Sequence, residues 1–420
     1  MNTFKEGIME KPATMANIEK YVYLLAFALL VLVLPTGFLH EKTARILFYW
    51  SGYLSATGLL LNLAMKQWTR DKNALARLFM LLTLLFAVWS ALSSWISHDP
   101  SSELLFTPAK RWFIASAIAC YLISFNRHLP ADTLRKTTLA AMTVAFVAAS
   151  AYGIYQGITT QDRIFLGINR ATLTAYAYSA FALAYSSLLI STLQHRAKYV
   201  LQALLLIIST YVVILTQTRA AIVIHPLLGL MLLAVSMYKD KLLSVKIILA
   251  ACIALVAVVA VNHKMLTARL DSTLQDIQAY NNGWDYTSLG ARFSMWKVGI
   301  VAFKESPLGQ SESHRNNAIT QYLAEKNIKS NAADYLTIHL HNEFIQYASL
   351  FGVFGILILA FFYYSLICKI STPKVVGPVA LASFSALLYG ATDVVLTSIE
   401  YVVILSTTLT LSYLVMAHRK

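Results

Sequence analysis

At Ile338-His339-Leu340-His341-Asn342-Glu343 a long polar segment runs into residues 342–367, which are almost entirely apolar. A helix needs about 20 mostly apolar residues to cross a bilayer, and this run has them. The junction therefore sets a membrane helix against a soluble segment, with two histidines, an amide and a carboxylate at the boundary. Those four side chains suit either a hydrated helix entrance or a reactive site presented to a membrane-bound substrate.

Composition favours the membrane. Of the 420 residues, 58% are hydrophobic and 13% charged, with a mean hydropathy of +0.60. Soluble chains carry about 25% charged residues, so this chain must find an apolar solvent. The sequence predicts an all-α integral membrane protein of about twelve transmembrane helices in contact with membrane lipids. The first run is 21–39, too long for the core of a cleaved signal peptide. The others lie near 45–65, 78–97, 111–125, 137–157, 172–193, 199–217, 220–238, 243–262, 342–367, 375–393 and 400–417.

Basic residues orient the bundle. With the N-terminus cytoplasmic, the segments on that side hold 19 of the 34 lysines and arginines, and the short outer loops hold seven. That bias follows the positive-inside rule and predicts both termini inside. It also accounts for much of the net charge of +14 without nucleic acid. The expected organisation is a cytoplasmic arm (1–20), transmembrane helices 1–9 (21–262), one large periplasmic helical cap between helices 9 and 10 (263–340), helices 10–12 (341–417) and a cytoplasmic tail (418–420). Cys120, Cys252 and Cys368 lie in or beside apolar runs and form no disulfide or metal-binding pattern. No sequence feature speaks to oligomeric state.

The cap carries helical stripes: Leu266, Leu270, Leu274 and Ile277; Phe293, Trp296, Ile300 and Phe303; Ile319, Tyr322 and Leu323. Breaks stand at Asn281-Asn282-Gly283 and Ser306-Pro307-Leu308-Gly309. Its apolar faces are expected to turn to lipid or to the bundle.

Ionisable groups collect at the outer face: Arg111, Arg163, Arg170, Arg219, His341, Asp393 and Glu400, with Arg292 in the cap. His225 is the clearest exception, placed in mid-bilayer and expected to pack against neighbouring backbone. That distribution argues against an ion or proton pathway, which spreads such groups through the depth of a bundle. Arg219 opens a helix within Leu215-Thr216-Gln217-Thr218-Arg219-Ala220, where a helix N-terminus and a guanidinium both favour phosphate; snorkelling to lipid headgroups is the other use. Arg292 suits either a phosphate or a surface pairing with Asp285. His341 has the chemistry of a general base. On a helix His339 and His341, two apart, would point to different sides, and the zinc-protease spacing is absent, so no metal is expected.

Three local patterns carry a resemblance: Leu215 to Ala220, Ser288-Leu289-Gly290-Ala291-Arg292, and His339 to Glu343 followed by Gly352 and Gly355, with Asp162-Arg163-Ile164 a weaker fourth. With the twelve-helix layout and the late outer loop, the chain resembles the O-antigen ligase family, the lipopolysaccharide ligases of Gram-negative inner membranes. The resemblance implies transfer of O-antigen from undecaprenyl pyrophosphate to the lipid A–core oligosaccharide. The reaction would run on the periplasmic side with inversion and with neither metal nor ATP, so no cofactor is expected. It implies His341 as base and Arg219 and Arg292 as holders of the donor pyrophosphate. Arg163, Arg170, Asn342 and Asp393, at the same outer face, are secondary candidates beside them. His339 is not a general family feature and receives no role. An O-antigen polymerase would share the architecture and donor, although the motif set favours a ligase. A flippase or transporter for lipid-linked glycans would need a basic, water-filled path instead.

Overall fold

Helix begins at Glu10, inside the stretch expected to be a solvated arm, and Glu19 is buried against Asn62 and the Tyr121 hydroxyl. The computed structural model of the chain describes residues 10–65, 73–97, 105–160, 162–370 and 377–417. The first nine residues of the expected arm, much of the basic loops at 66–77 and 369–374, and the tail 418–420 lie outside the described residues.

All regular structure among the described residues is helical. In chain order the helices are α1 (Glu10–Gly37), α2 (Glu41–Ala64), α3 (Ala74–Ser97), α4 (Phe106–Ser124), α5 (Ala131–Thr160), α6 (Ala171–Thr192), α7 (Lys198–Leu215), α8 (Arg219–Lys239) and α9 (Val245–Val261). The cap contributes α10 (His263–Asn281), α11 (Ser288–Glu305) and α12 (Glu312–Glu325), followed by α13 (Glu343–Tyr364), α14 (Pro378–Gly390) and α15 (Ile399–Ala417). Every apolar run read from the sequence is a helix. Nine of the described helices are long and apolar enough to span a bilayer, or ten if α9 and α10 count as one span bent by 77°. The chain is thus a multi-pass helical membrane protein. The difference from twelve has a physical origin: α14 has only 13 residues, α9 only 17, and α4 is not among the nine.

α6 and α15 are the inner posts, with most of their residues buried. Alanine and serine recur along α6, and small side chains let membrane helices approach closely. α9 lies at the rim, where only Ala251 and Leu255 are buried. Ile247 and Ile248 pack partly against its neighbours, while Leu249, Ile253, Val256 and Val261 face outward, which only lipid makes favourable.

The cap has its own small core. Ala291, Met295, Val298 and Ala302 of α11 meet Ile319, Leu323, Leu336 and Leu340. The stripe expected to pack α11 is therefore displaced: its buried face is the small-residue one, and Ile300 is exposed. α10 buries no residue fully, and Leu270 and Leu274 remain open.

One end of the bundle is tied together by hydrogen bonds between loops. Gly167 N–H donates to Phe38 O and Glu41 N–H to Gly167 O; Ile164 N–H donates to Leu215 O. Trp112 Nε1 donates to Leu396 O and Arg111 to Thr397 O, both at 2.8 Å. The cap joins this same end where Trp89 Nε1 donates to Gln310 O.

Candidate active site

α13 starts at this end, and its first residues explain how His341 is aimed. Asn342 is the N-cap, accepting Ile345 N–H on Oδ1 while Nδ2 donates to Ala391 O at 2.9 Å. Glu343 is fully buried and fixes the loop after α14, accepting Leu396 N–H at 2.8 Å, and it also accepts Tyr363 O–H at 3.1 Å. His341 precedes the cap with φ 48°, a left-handed conformation uncommon outside glycine. That turn lifts its side chain off the helix path. Arg315, fully buried in the cap, donates to Leu336 O and to Gln346 Oε1, and Gln346 Oε1 in turn accepts Leu340 N–H. Trp296 Nε1 donates to His341 O. The histidine loop is thus held from the cap and from α13.

His341 Nδ1 lies 3.1 Å from Asp393 Oδ1, and Asp393 sits just beyond α14, buried, with the same oxygen accepting Val394 N–H. Burial pushes this carboxyl upward, but the His341 hydrogen bond and the charges of His339, His341 and Arg292 overcome it and hold Asp393 below the ordinary carboxylate range. It stays ionised. A carboxylate on Nδ1 fixes the tautomer with that nitrogen protonated, leaving the lone pair on Nε2. His339 joins the pair, with its ring centroid 4.1 Å from that of His341 and its Nε2 3.8 Å from Asp393 Oδ1. Burial, then the charges of His341, Arg170 and Arg292, press the His339 imidazole down to about 4 against the pull of Asp393. The expectation that the two histidines diverge is overturned, because neither lies on a helix.

The arginines form a second cluster. Arg219 is the first residue of α8, where Thr218 caps no helical N–H with its side chain. Its guanidinium reaches Asp276 and Ser272 of α10, each at 3.0 Å. Gln217, in left-handed conformation, accepts from Arg269, and Arg163 Nε donates to Thr216 O at 3.1 Å. Burial, then the like charge of Arg269, with smaller contributions from Arg219 and Arg292, lowers the Arg163 guanidinium, which Asp162 partly offsets. Arg269 escaped the sequence reading; its signal was the recurrence of Arg269, Ser272 and Asp276 on one face of α10.

Arg292 lies within electrostatic range of both clusters, acting on Arg163 on one side and on Asp393 and His339 on the other. It makes no hydrogen bond or ion pair among the described residues. The expected alternative partner, Asp285, is engaged by Ser294, Ser330 and the Asn331 N–H instead. Arg170 is exposed at the start of α6 and lines a cavity of about 640 Å³ with Arg111, Asn169, Glu312, His339 and Glu400. That cavity touches the histidine pair through His339; Arg219, Arg292 and His341 are not in its lining. His225 bonds Ser179 and Ser209 hydroxyls through its two ring nitrogens, rather than the backbone expected.

Comparison with known proteins finds similarity over part of the chain. Residues 203–360 match the family model described as O-antigen ligase, a stretch that holds Arg219, Arg292 and His341. Over 220 residues the chain is 31% identical to the O-antigen ligase of Escherichia coli (strain K12), and the match covers 51% of each chain. The chain therefore spans about half the length of the curated relative it matches.

Proposed function

We propose that this chain acts as an O-antigen ligase and carries out a glycosyl transfer in lipopolysaccharide biosynthesis. The glycan moves from a lipid pyrophosphate, undecaprenyl pyrophosphate, to a sugar hydroxyl of the lipid A–core oligosaccharide. The observation that carries this reading is the Asp393-braced His341 set beside an arginine cluster, with unpaired Arg292 acting on both.

His341 Nε2 takes the proton of the acceptor hydroxyl as its oxygen attacks the anomeric carbon. The bond from that carbon to the pyrophosphate oxygen breaks, its electron pair leaves with the lipid pyrophosphate, and the anomeric centre inverts. Arg292 and Arg219 take up the charge that develops on the leaving group. Two unit charges 4 Å apart gain about 4 kcal/mol at an effective dielectric of 20, and donors aimed at developing charge lower the barrier rather than merely binding substrate. The cavity bounded by Arg170 and His339 is the entry assigned to the acceptor glycan. The reading is complete with α4 and the shorter α9 and α14 counted as passes beside the nine longer spans, which makes twelve and puts the cap and the site on the periplasmic side of the inner membrane.

The test is to incubate purified protein with lipid-linked glycan and lipid A–core. Glycan joined to core supports the ligase. Longer lipid-linked chains alone would make the protein a polymerase, and movement without covalent change a transporter. His341→Ala should abolish transfer and keep donor binding; normal turnover in that variant would remove the base assignment. Transfer should continue in the presence of a chelator.

A further inference from the structure

His339, His341 and Asp393 each bring a ligand atom to within 4.8 Å of the other two. Zinc binds histidine nitrogen and carboxylate oxygen at about 2.0–2.2 Å in tetrahedral geometry, which sets neighbouring ligand atoms about 3.3 Å apart. The distances to Asp393 Oδ1, 3.1 Å from His341 Nδ1 and 3.8 Å from His339 Nε2, straddle that edge. All three side chains are mostly buried, and the left-handed turn at His341 together with the backing of Asn342 and Glu343 holds two of them in place. Little rearrangement separates this arrangement from a three-ligand metal site with an open fourth position.

We propose that His339, His341 and Asp393 bind a Zn2+-class transition-metal ion, and that its occupancy reversibly blocks His341 as a base. The block follows from which nitrogen is used. Asp393 meets His341 at Nδ1, so the ion enters at Nδ1 and displaces the proton there. The imidazole remains neutral by carrying its one proton on Nε2. No net proton is released, but the lone pair that would accept the acceptor's proton is gone. The ion and the base chemistry require opposite tautomers of one ring, so they exclude each other.

Two features oppose the ion and shape the site. His339 Nδ1 accepts His341 N–H at 3.3 Å, a long contact that must be given up when Nε2 ligates. Arg170 and Arg292 act electrostatically on His339, so the fourth ligand is expected to be an anion such as hydroxide or phosphate. The inhibitory consequence rests on the reading of His341 as base; the binding does not.

The experiment uses full-length protein in detergent, stripped of metal and titrated with Zn2+ against a competing fluorescent chelator. One equivalent binding at micromolar concentration or tighter is expected, and absence of binding overturns the proposal. His339→Ala and Asp393→Asn should each weaken binding at least tenfold, and unchanged affinity in both folded variants overturns it as well. Should a variant fail to fold, Co2+ on the wild type decides: strong low-coordinate d–d absorption supports the site, and weak octahedral bands sink it. Zinc at saturation should suppress transfer and excess chelator restore it; full occupancy with undiminished transfer overturns the proposal. Zinc binding as expected, with no transfer under any condition, would overturn only the glycosyl-transfer reading.

Discussion

Asp393 Oδ1 lies 3.1 Å from His341 Nδ1 across 52 residues of chain, and each residue sits in a loop beside a helix end. Asn342 bonded to Ala391 O and Glu343 bonded to Leu396 N–H clamp the two loops on either side of that contact. An orienting carboxylate of this kind secures the tautomer a base requires, and its loss costs up to about 10⁴-fold in turnover. Asp393→Asn should lower kcat by about 10²-fold or more with KM little changed and the fold retained. Wild-type turnover in that variant would show that Asp393 does not orient the base.

Arg219 has two possible uses, and its partner Asp276 separates them. If the arginine serves only to tie α8 to α10, Asp276→Asn, which removes the anion, should do at least as much damage as Arg219→Lys, which keeps the cation. If it receives pyrophosphate, Asp276→Asn should stay within about threefold of wild type while Arg219→Lys falls tenfold or more, because a lysine presents a point charge and loses the planar fork. Transfer rates and melting temperatures of both variants decide the matter.

Much of the helix order was legible because an apolar run of about 20 residues has few other meanings. What each helix face touches was not legible. Lipid is as apolar as a protein interior, so hydrophobicity alone does not separate the buried Ala291, Met295 and Ala302 of α11 from the exposed Ile300. The candidate site was legible only as residue types at one face, and it was the family resemblance that picked His341, Arg219 and Arg292 out of the other ionisable groups there. Its geometry was hidden, since the convergence of His339 with His341 depends on one left-handed turn and on Asp393 from a distant loop. The Arg219–Asp276 pair likewise needs the 77° bend between α9 and α10, which brings Asp276 within reach of the first residue of α8.

The cap should weaken in acid through Asp285. Burial raises this carboxyl, but hydrogen bonds from Ser294, Ser330 and the Asn331 N–H outweigh it, and the folded carboxyl sits below its ordinary value of 3.8. A depressed folded value means that the unfolded state binds more protons between the two pKa values. The stabilisation is therefore complete above the ordinary carboxylate value and is lost as pH falls through the folded one. Hydrogen exchange across residues 285–331 should show the wild-type cap opening in that window. Asp285→Asn should open it at neutral pH and remove the acid step.

Gly352 ties the cap to α13 and is expected to be among the least replaceable of the described glycines. It breaks the helix at φ 62°, ψ −149°, a region that is essentially glycine-only. There Val353 N–H donates to Pro307 O at 2.9 Å and Gln310 N–H to Leu350 O at 2.8 Å. A Cβ at position 352 would stand 2.3 Å from Pro307 O and 2.5 Å from Gly309 N, both backbone atoms that cannot swing aside. Gly283 provides the control: its φ is 84°, yet nothing lies within 4 Å of a Cβ built there. Gly283→Ala therefore carries only the left-handed penalty of about 1 kcal/mol. Gly352→Ala adds the clash and should cost about 3 kcal/mol or more. It should also loosen the connection between α11 and α12 from the helix whose first turn aims His341, so activity should fall along with stability. Thermal unfolding of the two variants in the same detergent checks this, and equal melting temperatures would show that the 307–310 loop does not depend on the glycine.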